Sequence, residues 1–317
     1  MLRTKNTSTW FAIVLAIGLH GVPAHAQLAR THVSGVNGND ANDCNRLTPC
    51  RTFQKAHDST LAAGEITVLD PGGYGALTIT KAISIINDGV GEAGILVSGG
   101  LNGISINAGP SDAVSLRGLT VKGIGFGGGN GIVFNAGGSL TVEHCAIRTL
   151  DGGGTGVGIQ FQPNTSSHLA VLNTIVADNS SAGIFVTPRG PGSVTASLKR
   201  VRLVKNGAAG LHVEAGLAGS TATLKGVVED SLAARNSGAG FVVSGGSPPA
   251  DVTLIRSIAA HNGFGIVVSA TSRIGQSVLT GNAASWLAGG ILQSYGDNYI
   301  NGNGDGDPPI PTVIPTK

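Results

Sequence analysis

Residues 173–187 read NTIVADNSSAGIFVT, residues 200–214 read RVRLVKNGAAGLHVE and residues 230–244 read DSLAARNSGAGFVVS. The three segments align without a gap. Each carries an Asn (Asn179, Asn206, Asn236), a Gly four residues later (Gly183, Gly210, Gly240) and a large apolar residue directly after that Gly. Outward from these, the Gly–apolar pair recurs at Gly103-Ile104, Gly131-Ile132, Gly158-Ile159, Gly265-Ile266 and Gly290-Ile291. Across the series the intervals are 28, 27, 25, 27, 30, 25 and 25 residues. A fixed period of this size is the mark of a stacked repeat.

Each Gly opens a stretch of period-two alternation, which sends the first and third residues after it to one face and the second to the other. A second strand precedes the Asn: Thr174-x-Val176, Val201-x-Leu203, Ser231-x-Ala233, Ser257-x-Ala259 and Ser277-x-Leu279, with Asn262 and Asn282 continuing the Asn series. Asn repeated at one turn predicts a ladder of amides bonded along the stack, since Asn also tolerates the left-handed backbone of a tight turn. Leucine-rich repeats have a similar period, with leucines three and five residues before Asn. Here the apolar residue is taken to be four before it, as Ile258 is before Asn262, so the parity differs. Propeller blades are longer. About eight coils of some 25 residues, each with two or three short strands, predict an all-β fold: a right-handed parallel β-helix solenoid with a short N-terminal capping helix.

Composition agrees. Gly supplies 51 of 317 residues, the apolar fraction is 41% and charged residues are only 12%. Disordered chains pair low hydrophobicity with high charge, so this chain is ordered. Residues 1–26 read as a signal peptide. Arg3 and Lys5 form a basic start, Phe11 to Leu19 an apolar run too short to span a bilayer, and Ala24-His25-Ala26 a small-residue cleavage site before Gln27. Cleavage near Ala26 implies a secreted or periplasmic protein. Taking Arg3 and Lys5 from 20 basic residues leaves 18, against 18 acidic. Zero net charge argues against a nucleic-acid or anionic-membrane partner, and no membrane insertion is expected. A monomer is expected. Cys44 and Cys50, six apart in a turn-rich stretch of an exported chain, are expected to form a disulfide, and Cys145 to face the core.

The repeats over residues 64–300 make the chain resemble the pectin-lyase-like right-handed β-helix superfamily. So does the run from Val33-Ser34-Gly35 through Gly38-Asn39-Asp40 and Asn42 to Pro49-Cys50-Arg51-Thr52-Phe53-Gln54-Lys55-Ala56, which is similar to the N-terminal cap of secreted members. That resemblance implies a lid over the first coil, with Phe53, Ala56 and Leu61 as its apolar stripe. The divisions expected are 1–26 signal peptide, 27–63 cap, 64–307 β-helix and 308–317 a loose Pro-rich tail. Asn301, Asn303 and Asp305 have calcium-loop spacing, but Thr312 stands where such a loop needs Glu, so a final turn is expected, with no metal and no cofactor.

The resemblance also implies activity on acidic polysaccharides, but the residues for it are missing. The mature chain has no Asp-Asp, Gly-His-Gly or Arg-x-Lys, and no column of the repeat stacks acids in adjacent coils. A glycosidase needs two carboxyls flanking one bond. The outward positions after each Gly instead bring Gln160, Gln162, Phe185, Thr187, His212 and Glu214 together over neighbouring coils, with Arg189 in the adjoining turn. An apolar ring beside amides, an imidazole and a carboxylate suits sugar hydroxyls. The expected function is non-catalytic binding of a glycan or cell-surface component. A divergent polysaccharide lyase or glycoside hydrolase, and a structural or adhesive solenoid, are the alternatives.

Overall fold

The protein is described from a computed structural model over residues 27–152, 155–247, 249–310 and 312–315. Residues 1–26, and with them the expected signal peptide, lie outside the described residues. Among those described, the strands form three parallel sheets of twelve, ten and nine strands, and sequence-adjacent strands always fall in different sheets along the repeat. One coil runs through all three. Ser167–Leu172 lies in the first sheet, Ile175–Ala177 in the second, Ile184–Val186 in the third, and Ser193–Lys199 returns to the first one coil further on. Parallel pairing then repeats at about 4.8 Å per coil.

The corners explain the polar columns. His144, Asn173, Arg200, Asp230, Arg256 and Gln276 separate the first sheet from the second, and all have φ between 47° and 52°. Thr149, Asp178, Lys205, Arg235 and His261 follow the second sheet at φ 55–57°. A single left-handed residue turns the chain sharply, and its side chain is thrown into solvent, so polar residues occupy both edges. Along the first of these edges Arg256 holds Asp230 at 2.7 Å, and Arg200 donates to Asn173 Oδ1 at 2.6 Å.

Inside, the residue after each Gly stacks coil on coil: Ile104, Ile132, Ile159, Ile184, Leu211, Phe241 and Ile266 are in register and buried. The Gly itself is needed for space, not for an unusual φ. A Cβ on Gly210 would lie 2.7 Å from the Gly240 carbonyl and 3.0 Å from the Asn236 amide nitrogen. The Asn ladder is complete: Asn179, Asn206, Asn236, Asn262 and Asn282 each donate to the next at 2.9–3.0 Å, and Asn303 receives the last bond. Asn303 in turn donates to Asp307 at 2.8 Å.

Several expectations need correcting. Gly290-Ile291 does not continue the series. The register carries Gly265-Ile266 onto Ser285-Trp286, while Ile291 is exposed and pairs with Thr271 in the first sheet, with Leu292 buried beside it. The shorter final coil misled the count, and the third sheet has nine strands where about eight coils were expected. The parity argument also fails. Ile258 points to solvent, and the buried residues Val176, Leu203, Ala233, Ala259 and Leu279 lie three before Asn. What separates this fold from a leucine-rich repeat is its three sheets. The capping helix, Phe53–Ser59, starts at Thr52, whose hydroxyl accepts from Lys55 N–H. It buries Phe53, Ala56 and His57. Leu61 is exposed, because Thr60 already starts a strand.

The tail is tied down: Ile310 is buried, Thr312–Val313 extends the first sheet, and Trp286 donates its indole N–H to the Pro308 carbonyl at 2.9 Å. The calcium-like run is spent on closing the solenoid. Asn303 ends the ladder, and Asp305 accepts from Ser285 N–H and Oγ at 2.8 and 2.7 Å. At the other end the Cys44–Cys50 disulfide is present, and Asp40 accepts from Arg51 and Thr52 N–H.

Candidate functional site

The third sheet sets Gln160, Phe185 and His212 directly in line, one per coil, through the pairings Gln160↔Phe185 and Phe185↔His212. Phe185 and His212 stack, with ring centroids 4.7 Å apart and planes 20° from parallel. His212 Nε2 lies 3.1 Å from Ser244 Oγ and 3.9 Å from the Glu214 carboxylate. Burial pushes the imidazole pKa below its ordinary value, with Glu214 pulling the other way, which favours the neutral ring. Beside the stack runs a row of amides. Asn135 donates to Asn107 at 2.9 Å, Gln162 to Asn135 at 2.7 Å, and both Gln160 and Arg189 donate to Gln162 Oε1, at 3.2 and 2.9 Å.

Six of the seven expected residues therefore meet: Gln160, Gln162, Phe185, Arg189, His212 and Glu214. Thr187 does not join them. It is 0% exposed, and its hydroxyl has no hydrogen-bond partner among the described residues. Its N–H donates to the Phe161 carbonyl and Arg189 N–H to that of Pro163, so the chain after Val186 hugs the turn of the preceding coil and encloses the side chain. The face is also not open throughout, since Val133 and Gln160 keep only 5% and 8% exposure. Sequence reasoning missed that Gln162 is the hub of the row. The signal was there in Asn107, Asn135 and Gln162, which sit at one offset from successive Gly–Ile pairs.

The arrangement can stack a flat apolar face and exchange hydrogen bonds with hydroxyls around it. It offers Glu214 as its acid, next to a neutral histidine. In the first sheet the column Arg117, Glu143, Leu172, Lys199, Glu229, Ile255 never sets two carboxylates in adjacent coils. Among the described residues no group of three or more His, Cys, Asp or Glu side chains could hold a metal ion. Cys145 is buried and its thiol is pushed up to about 11 by burial. An open depression of about 590 Å³ lies against Asn87, Asp88, Arg117 and His144 and involves none of the stacked residues.

Comparison with known proteins agrees with the fold. The chain belongs to the right-handed beta helix family: the model described as "Right handed beta helix region" matches residues 58–225, just over half its length. Among solved structures it is similar to pectate lyase Pel9A, at a TM-score of 0.58 and 16% identity, over 89% of this chain and 82% of that one. A second match, the GH136 lacto-N-biosidase from Eubacterium ramulus, has a TM-score of 0.37 and 9% identity over 83% and 67% of the two chains. No curated protein matches the sequence. At 16% identity the likeness to the pectate lyase is one of fold.

Proposed function

We propose that this protein is a secreted or periplasmic β-helix protein that binds a glycan or another cell-surface component without chemically altering it. The observation that carries the reading is the Phe185–His212 stack bordered by Gln162, Arg189 and Glu214. A planar apolar platform takes the C–H face of a sugar ring, and the fixed amides and carboxylate take its hydroxyls. The Cys44–Cys50 disulfide supports an oxidising compartment.

Affinity electrophoresis through gels containing individual polysaccharides tests the site. The wild type should be retarded by at least one polymer. Phe185→Ala with His212→Ala should weaken retention roughly tenfold, the loss expected when a binding hot spot is truncated. Equal mobility of wild type and variant in every gel removes the proposal. Accumulation of unsaturated products from a uronate polymer would replace it with the lyase reading, in line with the pectate lyase fold match.

A further inference from the structure

The outer face of the second sheet carries a charge pattern that zero net charge conceals. Its unbroken register runs two outward columns across the coils: Thr120, Ala146, Ile175, Arg202, Leu232, Ile258, Val278, Tyr299 and, two residues on, Lys122, Arg148, Ala177, Val204, Ala234, Ala260, Thr280, Asn301. The left-handed corners add Arg200 on one edge, and Lys205 and Arg235 on the other. Lys122, Arg148, Arg200, Arg202, Lys205 and Arg235 thus share one face, and none of them forms an ion pair among the described residues. The acids of the two corners are Asp178, and Asp230, which Arg256 already holds. Between the cations stand aliphatic side chains that a soluble surface does not need: Ile175 and Ile258 are exposed, and Tyr299 is 72% exposed at the end of the row.

We propose that this face docks on an anionic phospholipid surface. Cations alone would serve any polyanion. Their placement in the same columns as Ile175, Leu232 and Ile258 favours a lipid interface, where guanidinium and ammonium groups meet phosphates while aliphatic and tyrosyl side chains reach the headgroup–acyl boundary. A hydrated polysaccharide chain has no comparable apolar layer. The binding is peripheral: the strands stay paired within the sheet, and no helix among the described residues is long and apolar enough to cross a membrane. The surface is distinct from the third-sheet site and stands independently of it.

Co-sedimentation with vesicles tests the proposal. The mature protein should pellet with vesicles of phosphatidylcholine and phosphatidylglycerol in equal parts, stay in solution with phosphatidylcholine alone, and be released by salt. In the triple variant Arg202→Gln, Lys205→Asn, Arg235→Asn, Asn keeps the left-handed corners available while the charge goes. Each cation lost should weaken partitioning about fivefold, so the triple variant should lose about a hundredfold. Ile258→Ser should weaken binding further without changing the salt dependence, and Phe185→Ala with His212→Ala should leave it intact. Equal binding to the two vesicle types, no binding to either, or an unchanged triple variant of native circular dichroism overturns the proposal. So does salt-sensitive capture by alginate in preference to the charged vesicles.

Discussion

At Gly210 the neighbouring coil leaves no room for a methyl group. Its Cβ would approach the Gly240 carbonyl, the Asn236 amide and the Ala233 methyl group at 2.7–3.1 Å, all of them fixed by pairing in the sheet or by the ladder. Gly210→Ala should therefore cost about 1–3 kcal/mol, the usual penalty of overpacking a rigid core. Gly246 provides the contrast. It lies in a loop with nothing among the described residues within 4 Å of its Cβ position, and Gly246→Ala should stay within about 0.5 kcal/mol of wild type. Urea denaturation of the two variants measures the difference. The same crowding explains why the last coil can do without glycine: at Ser285 the space above is filled by the Asp305 carboxylate, which bonds the hydroxyl.

Among the elements, the Asn ladder concentrates the most buried polar bonding on a single column. Asn236 accepts from both Asn206 N–H and Asn206 Nδ2 at 3.0 Å, and donates to Asn262 and to the Leu203 carbonyl. Asn236→Ala removes the acceptor of two buried hydrogen bonds, leaving the Asn206 N–H without a partner and its Nδ2 with the Val176 carbonyl alone, so it should cost about 2–5 kcal/mol. Thermal unfolding should show a far larger effect than Asp178→Ala, one corner position away from the ladder and exposed. This element was legible because stacking forces one residue type to recur at one offset. The register slip at Gly290 and the reversed parity at Ile258 were not. A Gly–Ile pair looks the same whether it opens a strand of the third sheet or of the first, and short strands that expose Ile175 and Ile258 on their outer side mimic inward-facing ones. The binding face was legible as far as alternation held. Beyond Val186 the chain folds against the preceding turn, and Thr187 leaves the pattern. The cationic face was invisible to a net-charge sum because register, not composition, gathers it.

Over the whole molecule, a solenoid has two ends that would expose unpaired edges, and here carboxylates meet backbone N–H groups at both. Asp70 accepts from Gly35 and Val36 N–H at the first coils, and Asp307 from Gly302 and Asn303 N–H at the last. The Asn303 N–H and side-chain amide hold the Asp307 carboxyl below the usual carboxylate range. A carboxyl with a depressed folded-state pKa adds stability above its unfolded value, and that contribution disappears as pH falls through the folded one. Asp307→Asn should therefore melt below wild type at neutral pH, and the gap should close as the pH drops through and below the ordinary carboxylate range. A gap that stays constant from neutral pH to acid would refute the assignment. The melting curves come from circular dichroism over a pH series.

The ladder also gives the solenoid an electrical direction. Each side-chain amide from Asn179 to Asn303 gives one N–H to the next acceptor toward the C-terminus, so six amides are chained head to tail along the axis and the donating end of the chain faces Asp307. Hydrogen bonds chained in this way polarise one another. An α-helix gathers such a field from its backbone, parallel to the chain. This molecule gathers one from side chains, perpendicular to its strands, and places a carboxylate where the field is most favourable to a negative charge.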